Sequence, residues 1–167
     1  VGGADDDTLV SGGGGDELLS GGDGADLFNI ASAGVDGNDT VAGGNGDDTV
    51  TFTDGVNLAA ADVAGFSGIE HVNFTVNSTG FEVTDDMVVT AANDILEILV
   101  ATGVTLTGLD TSTVNANRVV SLNTSEAVTL SGNADRITSA DGTNTNIDGD
   151  AGNDVLLGGT GNDILIG

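Results

Sequence analysis

The stretch that decides the fold is residues 43–51, which read GGNGDDTVT. It follows the pattern G-G-x-G-x-D-x-U-x, in which U is a large apolar residue. The first six residues of this pattern suit a turn, and the last three suit a short strand whose U side chain points inward. Because one copy cannot bury that side chain alone, copies have to stack on one another.

Further copies of this nonapeptide lie in two blocks. Ser20 is an extra residue between the second copy and the third, and Thr145 replaces the aspartate in a degenerate copy that ends at Ile147. Another degenerate copy ends at Ile137. The better copies begin at Gly2, Ser11, Gly21, Gly34 and Gly43 in the first block, and at Gly149 and Gly158 in the second.

The residues between the blocks have a different pattern. Glycine is rarer there, and short alternating stretches indicate half-buried strands at Val72–Val76, Val104–Thr107 and Val128–Leu130. One stretch is ambiguous, because Thr84 could cap a helix that runs through Leu99, whereas residues 95–100 also suit a strand. The strand character of the neighbouring sequence favours the strand.

These patterns predict an all-β chain whose stacked turn-strand units form a solenoid. We divide it into an N-terminal block of nonapeptides over residues 1–51, a β-solenoid insert over 52–130 and a C-terminal block of nonapeptides over 131–167. A continuous apolar core is expected at Leu9, Leu18, Phe28, Val41, Val50, Leu106, Leu122, Leu130, Ile147, Leu156 and Leu165.

The charge of the chain points to a cation as its partner. Twenty-seven acidic residues stand against two arginines, and the net charge is −25. Such a surface repels nucleic acid and anionic membranes, and no apolar run is long enough to insert into a membrane. Since crowded carboxylates oppose a compact state, we expect the chain to need bound cations in order to fold.

The nonapeptide supplies the ligands that calcium prefers. Its aspartate contributes a carboxylate, and its glycines let backbone carbonyl oxygens crowd around an ion. The predicted carboxylate ligands are Asp7, Asp16, Asp26, Asp39, Asp48, Asp154 and Asp163. The glycines assigned to the same metal sites are Gly12, Gly14, Gly22, Gly24, Gly44, Gly46, Gly152, Gly159 and Gly161.

These repeats resemble those of the RTX (repeats-in-toxin), haemolysin-type calcium-binding family over roughly residues 2–51 and 132–167. The resemblance implies a parallel β-roll in which successive turns lie on opposite edges and a calcium ion sits between turns two apart. The first turn then pairs with the third, the second with the fourth and the third with the fifth, and the turn of Asp135 pairs with that of Asp154. Residues 68–72, GIEHV, look like a strand that follows the calcium block in RTX surface-layer proteins and adhesins.

No catalytic residue is assigned, because the sequence offers no nucleotide loop, zinc spacing or nucleophile turn. The single histidine, His71, is expected at a surface or a strand edge, although a catalytic set with Ser67 and an acid is conceivable. Its neighbour Glu70 is interpreted either as structural or as an ion ligand. We therefore expect a protein that is not an enzyme.

Two function classes fit. The favoured one is a secreted or cell-surface structural protein of a bacterium, exported by a type I route, as part of a surface layer, adhesin or filament. The alternative is a calcium-dependent folding module of a larger secreted enzyme or toxin. Binding to a cell-surface polysaccharide would fit either class.

Self-association is a further expectation. The chain begins within two residues of a repeat and ends on the glycine that would open the next one. Two explanations are open: truncation from a longer array, or head-to-tail stacking of subunits with calcium at the junction. In the second case Asp163 of one chain would meet Asp7 or Asp16 of its neighbour.

Overall fold

The computed structural model describes residues 1–90, 95–115, 119–140 and 142–167, without the side chains of residues 89 and 90. The chain winds into a parallel β-solenoid with sheets on two faces, as the repeats predict. The longer face is an eight-stranded sheet of β1 (Thr8–Val10), β3 (Leu27–Ile30), β5 (Thr49–Phe52), β8 (His71–Phe74), β10 (Ile95–Val100), β12 (Val119–Asn123), β14 (Arg136–Ser139) and β16 (Val155–Leu157), in that order.

Two smaller sheets contain the remaining strands. The three-stranded sheet consists of β2 (Leu18–Asp23), β4 (Thr40–Asn45) and β7 (Phe66–Ser67). The six-stranded sheet consists of β6 (Asn57–Leu58), β9 (Gly80–Glu82), β11 (Leu106–Asp110), β13 (Ala127–Leu130), β15 (Asn146–Asp148) and β17 (Ile164–Ile166). A 3₁₀ turn at Ser32–Gly34 and one short helix, α1 (Asp85–Thr90), complete the described elements.

Strand pairing follows the predicted alternation. β1 pairs with β3, β2 with β4 and β3 with β5, so that turns two apart in sequence are neighbours in space. One row of apolar residues runs through the long sheet from Leu9 to Phe28, Val50, Val72 and Ile98, with each residue in register with the next. The long sheet therefore passes from the nonapeptides into the middle segment without a break. The segment boundaries stay an interpretation of the sequence.

Most of the predicted core is confirmed. Leu156 is partly buried against the core, whereas Leu18 and Leu165 are exposed by 65% and 40%, so their prediction as core residues is wrong. Leu165 lies on β17, the outermost strand of its sheet, where no further described strand covers it. The buried members of the predicted set are Leu9, Phe28, Val41, Val50, Leu106, Leu122, Leu130 and Ile147.

Leu18 is exposed because the second copy is shifted by one residue. Leu19, and not Leu18, is in register with Val41, and it is Leu19 that packs against the core. The extra residue is thus absorbed in the glycine run at 12–15, which adopts positive φ at its last three positions, and not at Ser20. Glycine tolerates such angles without steric cost, which makes this run the easiest place for an insertion.

Three aromatic rings pack together where the nonapeptides meet the middle segment. Phe52 and Phe74 are register partners whose ring centroids lie 5.7 Å apart. Phe81, from the opposite sheet, makes edge contacts with both rings at 5.5 and 5.4 Å. This three-ring cluster joins the two faces of the solenoid by apolar packing.

The ambiguous stretch contains both elements in shorter form. The strand at Ile95–Val100 is confirmed as β10, and a helix running through Leu99 is wrong. Among the described residues the helix α1 covers Asp85–Thr90, and the Thr84 hydroxyl accepts a hydrogen bond from the Met87 amide at 3.3 Å, as an N-cap does. Residues 91–94 lie outside the described residues. No helix in the described ranges is long and apolar enough to cross a membrane.

Candidate calcium sites

Three carboxylates form a ladder along one edge of the solenoid. Asp26 Oδ1 accepts a hydrogen bond from the backbone amide of Asp7, Asp48 Oδ1 accepts one from Asp26, and Glu70 Oε2 accepts one from Asp48, each at 2.8 Å. We call Asp26, Asp48 and Glu70 the carboxylate ladder. It arises because the sixth-position aspartate directly precedes its strand, so strand register brings each carboxylate next to the turn before it.

The second oxygen of two ladder aspartates is buried without a partner. Asp26 is 2% exposed and Asp48 is fully buried, and among the described residues Oδ2 of each has no hydrogen-bond partner. A buried carboxylate without compensation is strongly unfavourable. A bound cation supplies the compensation that the chain itself does not provide.

Backbone carbonyl oxygens approach the same two atoms. A Cβ atom built on Gly21 would clash with Asp26 Oδ2 and with the Gly43 carbonyl oxygen. One built on Gly43 would clash with Asp48 Oδ2 and the carbonyl oxygen of Gly68. The missing side chains thus leave spaces bordered by one carboxylate and one carbonyl oxygen. This is the hard-oxygen ligand set that suits calcium.

The charge around Asp48 also fits a cation. The pKa of Asp48 is raised to about 6, mainly by burial and also by the charges of Glu70, Asp26 and Asp47, against the hydrogen bond from the Asp26 amide, which lowers it. A cation next to Asp48 reverses this effect, because it favours the ionised carboxylate.

No three His, Cys, Asp or Glu side chains in the described ranges converge as a metal site built from side chains alone. An ion at the ladder therefore depends on carbonyl oxygens together with carboxylates. When bound, calcium neutralises the buried carboxylates and crosslinks turns two apart. Asp26 and Asp48 would hold it through Oδ2, and the Gly43 and Gly68 carbonyl oxygens border the same spaces.

The opposite edge of the first block is built differently. The register places Glu17 opposite Asp39, and the Glu17 amide donates to Asp39 Oδ1 at 2.8 Å. Asp39 Oδ2 accepts a hydrogen bond from the Asp36 amide at 2.8 Å, so both of its oxygens have protein donors. Asp16, which the sequence placed at this position, is exposed. Ligation by Asp16 and Asp39 stays a prediction.

The second block repeats the arrangement in a more open form. Asp154 Oδ1 accepts from the Asp135 amide and Asp163 Oδ1 from the Thr145 amide, both at 3.0 Å. A Cβ on Gly149 would lie 2.7 Å from Asp154 Oδ2 and 3.3 Å from the Ile166 carbonyl oxygen. The turns of Asp135 and Asp154 are therefore neighbours, as predicted.

Two positions use hydroxyl groups where the ladder leaves oxygens unpaired. Asp135 is 1% exposed, and its Oδ1 accepts from the Thr111 amide at 2.6 Å and the Thr111 hydroxyl at 3.1 Å, while Ser131 donates to Oδ2 at 2.9 Å. Burial raises the pKa of Asp135 against these hydrogen bonds. At the degenerate copy, the hydroxyl of Thr145 packs against those of Ser139 and Thr143. These clusters are satisfied without an ion.

The glycine predictions can be compared with the backbone. Every predicted glycine except Gly12 has a φ in the left-handed region; their role at calcium sites stays a prediction. Sequence reasoning missed the first-position glycines Gly2, Gly21 and Gly43, whose lack of a side chain makes room for the oxygens. The doubled glycine of each repeat was the signal for them.

His71 is the first residue of β8, an inner strand of the long sheet, and it is half-buried. Its Nε2 is 2.7 Å from Asp47 Oδ1, and its Nδ1 is 2.9 Å from Glu97 Oε2. Ser67 belongs to β7 in the three-stranded sheet. Because both ring nitrogens face carboxylates, the geometry does not pair His71 with Ser67 as a base with its nucleophile.

Comparison with known families gives one match. The sequence matches the family described as RTX calcium-binding nonapeptide repeat (4 copies) at residues 1–18, 11–29, 33–58 and 139–167. These ranges together span just over half of the chain. No curated protein and no solved structure matches it.

Proposed function

Because the chain belongs to the RTX calcium-binding nonapeptide repeat family, we propose that it is an extracellular structural protein whose β-solenoid is made rigid by calcium. The observation that carries the proposal is the pair of buried, unpartnered oxygens on Asp26 and Asp48. Those carboxylates oppose folding when calcium is scarce and crosslink neighbouring turns when it is bound. A protein of this kind stays unfolded in a low-calcium cytosol and becomes rigid outside the cell.

The structural role that we propose is that of a subunit of a surface layer, adhesin or filament, anchored through a cell-surface polysaccharide. Support comes from exposed apolar side chains on β16 and β17. Leu157, Ile164 and Ile166 are exposed by 46%, 57% and 50%. The occupant we propose for this face is a second copy of the chain, because the first turns offer the same parallel strand geometry and carboxylate edge.

Size-exclusion chromatography with light scattering, in calcium and in chelator, tests this assembly. We expect particles larger than one chain in calcium only. Ile166→Asp should return them to monomers, whereas Val76→Asp, at a residue of comparable exposure away from this face (40%), should not. A folded wild-type protein that stays monomeric at high calcium and high concentration would overturn the assembly.

We also propose that the chain is not itself an enzyme. The arrangement of His71 between Asp47 and Glu97 supports this, since the ring nitrogens lie 2.7 and 2.9 Å from carboxylate oxygens. Hydrolase assays on ester and peptide substrates, with His71→Gln as the comparison, test it. Activity that depends on His71 would contradict the proposal.

The alternative role is a calcium-dependent folding and secretion module of a larger exported enzyme or toxin, delivered by a type I route. The same unpaired carboxylates favour it, because they couple folding to the higher calcium concentration outside the cell. Mass spectrometry of the native secreted material separates the two roles. A mature polypeptide with an attached catalytic domain supports the module, and one consisting of solenoid alone supports the structural subunit.

A further inference from the structure

The carboxylate ladder continues beyond the nonapeptide repeats. The family match to the first block ends at residue 58, yet Glu70 accepts a hydrogen bond from the Asp48 amide in the way that Asp48 accepts one from the Asp26 amide, both at 2.8 Å. The strands that follow are in register, with Leu27 opposite Thr49 and Thr49 opposite His71. Glu70 therefore occupies the position of a sixth-position aspartate in a segment without the repeat.

The backbone of the middle segment also takes the place of a repeat residue at this turn. At the Asp26 turn, the space at Gly21 is bordered by Asp26 Oδ2 and the Gly43 carbonyl oxygen. At the Asp48 turn, the space at Gly43 is bordered by Asp48 Oδ2 and the Gly68 carbonyl oxygen. Gly68 has a φ of 60° and stands two residues before Glu70, and it supplies the carbonyl that a repeat glycine supplies at the previous turn.

The unpaired oxygen at this turn distinguishes an ion site from a hydrogen-bonded cap. Glu70 is 7% exposed and would cap the Asp48 amide equally well in the absence of a metal. Asp48 Oδ2, however, is buried with no partner, whereas both carboxylate oxygens of Asp135 receive hydroxyl donors. No hydroxyl takes that role at Asp48, so a cation is the partner that its charge requires.

We propose that Asp48 Oδ2, the Gly68 carbonyl oxygen and Glu70 form a calcium site between the last nonapeptide turn and the first turn of the middle segment. Asp48 belongs to the last nonapeptide of the first block, whereas Gly68 and Glu70 belong to the middle segment. It couples the ion-dependent roll to the strand β8, and through β8 to the Phe52–Phe74–Phe81 cluster. Bound calcium then stabilises the junction between the two segments as well as the turns of the first block.

Calcium stoichiometry in Glu70→Gln tests the site, with Glu82→Gln as the matched control. Glu82 also caps a backbone amide of the preceding turn, that of Ala60 at 2.9 Å, so the control removes the same charge from the same kind of hydrogen bond. Isothermal titration with calcium should show one ion fewer per chain in Glu70→Gln and the wild-type number in Glu82→Gln. A folded Glu70→Gln protein with the wild-type number and affinities would overturn the proposal.

A second measurement does not depend on how the variants fold. Crystals of the wild-type chain grown with calcium and soaked in terbium chloride should give an anomalous peak about 2.3–2.6 Å from Asp48 Oδ2 and from an oxygen of Glu70. Peaks at the Asp26 turn with none beside Glu70 would contradict the proposal, and would leave calcium binding by the repeats unaffected.

Discussion

Two buried aspartates, Asp48 and Asp135, occupy equivalent places before strands of the same long sheet, but the partners of their carboxylate oxygens differ. Asp48 has an unpaired carboxylate oxygen next to a glycine-lined space. Asp135 has hydroxyl donors on both oxygens, from Thr111 and Ser131. One solenoid geometry can thus be stabilised in two ways, by an ion between turns or by hydrogen bonds between them. We therefore expect the first block of the chain to depend on calcium more than strands β10 to β14 do.

Calcium removal should produce the largest difference between the two regions. Each site at about ten times its dissociation constant adds about 1.4 kcal/mol, so three or four sites add about 4–6 kcal/mol. Hydrogen exchange with and without chelator should show amides of β1, β3 and β5 losing protection, while those of β12 and β13 keep more of theirs. Equal loss in both regions would contradict the comparison, and unchanged circular dichroism after chelation would contradict calcium-dependent folding.

The Phe52–Phe74–Phe81 cluster offers the next largest effect. Phe74→Ala removes a fully buried ring that contacts two others, and should cost about 3–5 kcal/mol of unfolding free energy. Because this loss comes from packing and not from ion ligation, denaturant titrations in calcium should show it while the number of bound calcium ions stays that of the wild type. Leu165→Ala, at an exposed position on β17, should cost less than about 1 kcal/mol. A Phe74→Ala protein that binds fewer calcium ions than the wild type would assign the cluster to the ion-dependent region.

Asp48→Asn and Asp135→Asn should change stability in opposite directions in calcium-free buffer. Neutralising Asp48 removes a buried charge, and the new amide can donate to the Gly68 carbonyl, so stability should rise by about 2 kcal/mol. Asp135→Asn breaks a satisfied network and should cost about 1 kcal/mol. Only Asp48→Asn should lower the number of bound calcium ions. A destabilised Asp48→Asn protein in chelator would show that the unpaired oxygen is not the source of the calcium requirement.

The smallest predicted effect is a pH dependence of unusual sign. The pKa of Asp48 is raised from 3.8 to about 6 in the folded chain, so its contribution to stability is greatest below 3.8 and is lost as the pH rises through about 6. In calcium-free buffer, lowering the pH from 7 to 5 should therefore slow exchange of amides in β3 and β5, after correction for the intrinsic rate. Asp48→Asn should show a smaller change. With calcium present, protons compete with the ion, and the calcium concentration needed for folding should rise as the pH falls.

The repeats made most of this architecture predictable. Spacing alone placed Phe28 and Val50 in the core, and the parallel pairing of turns two apart followed from the resemblance those repeats carry. The same reasoning failed at Leu18, because four consecutive glycines fit the pattern in two registers. The sequence does not distinguish the two registers, because both place glycines where the turn needs left-handed backbone angles. Packing distinguishes them, because Leu19 faces Val41.

The roles of Glu70 and Thr145 likewise became clear only from the tertiary structure. Glutamate beside a lone histidine, and threonine in place of aspartate, could each be interpreted only as a departure from the repeat. The winding brings the Asp48 amide to Glu70 across 22 residues. Thr145 instead meets the hydroxyls of Ser139 and Thr143, which are close to it in sequence. The sequence by itself determined the turn-strand unit, its apolar residue and its hard-oxygen ligands, because all of these lie within nine residues of one another. Which carboxylates keep an unpaired oxygen and which meet a hydroxyl was decided only by the tertiary structure, because a partner such as Thr111, 24 residues before Asp135, reaches the carboxylate only through the winding of the chain.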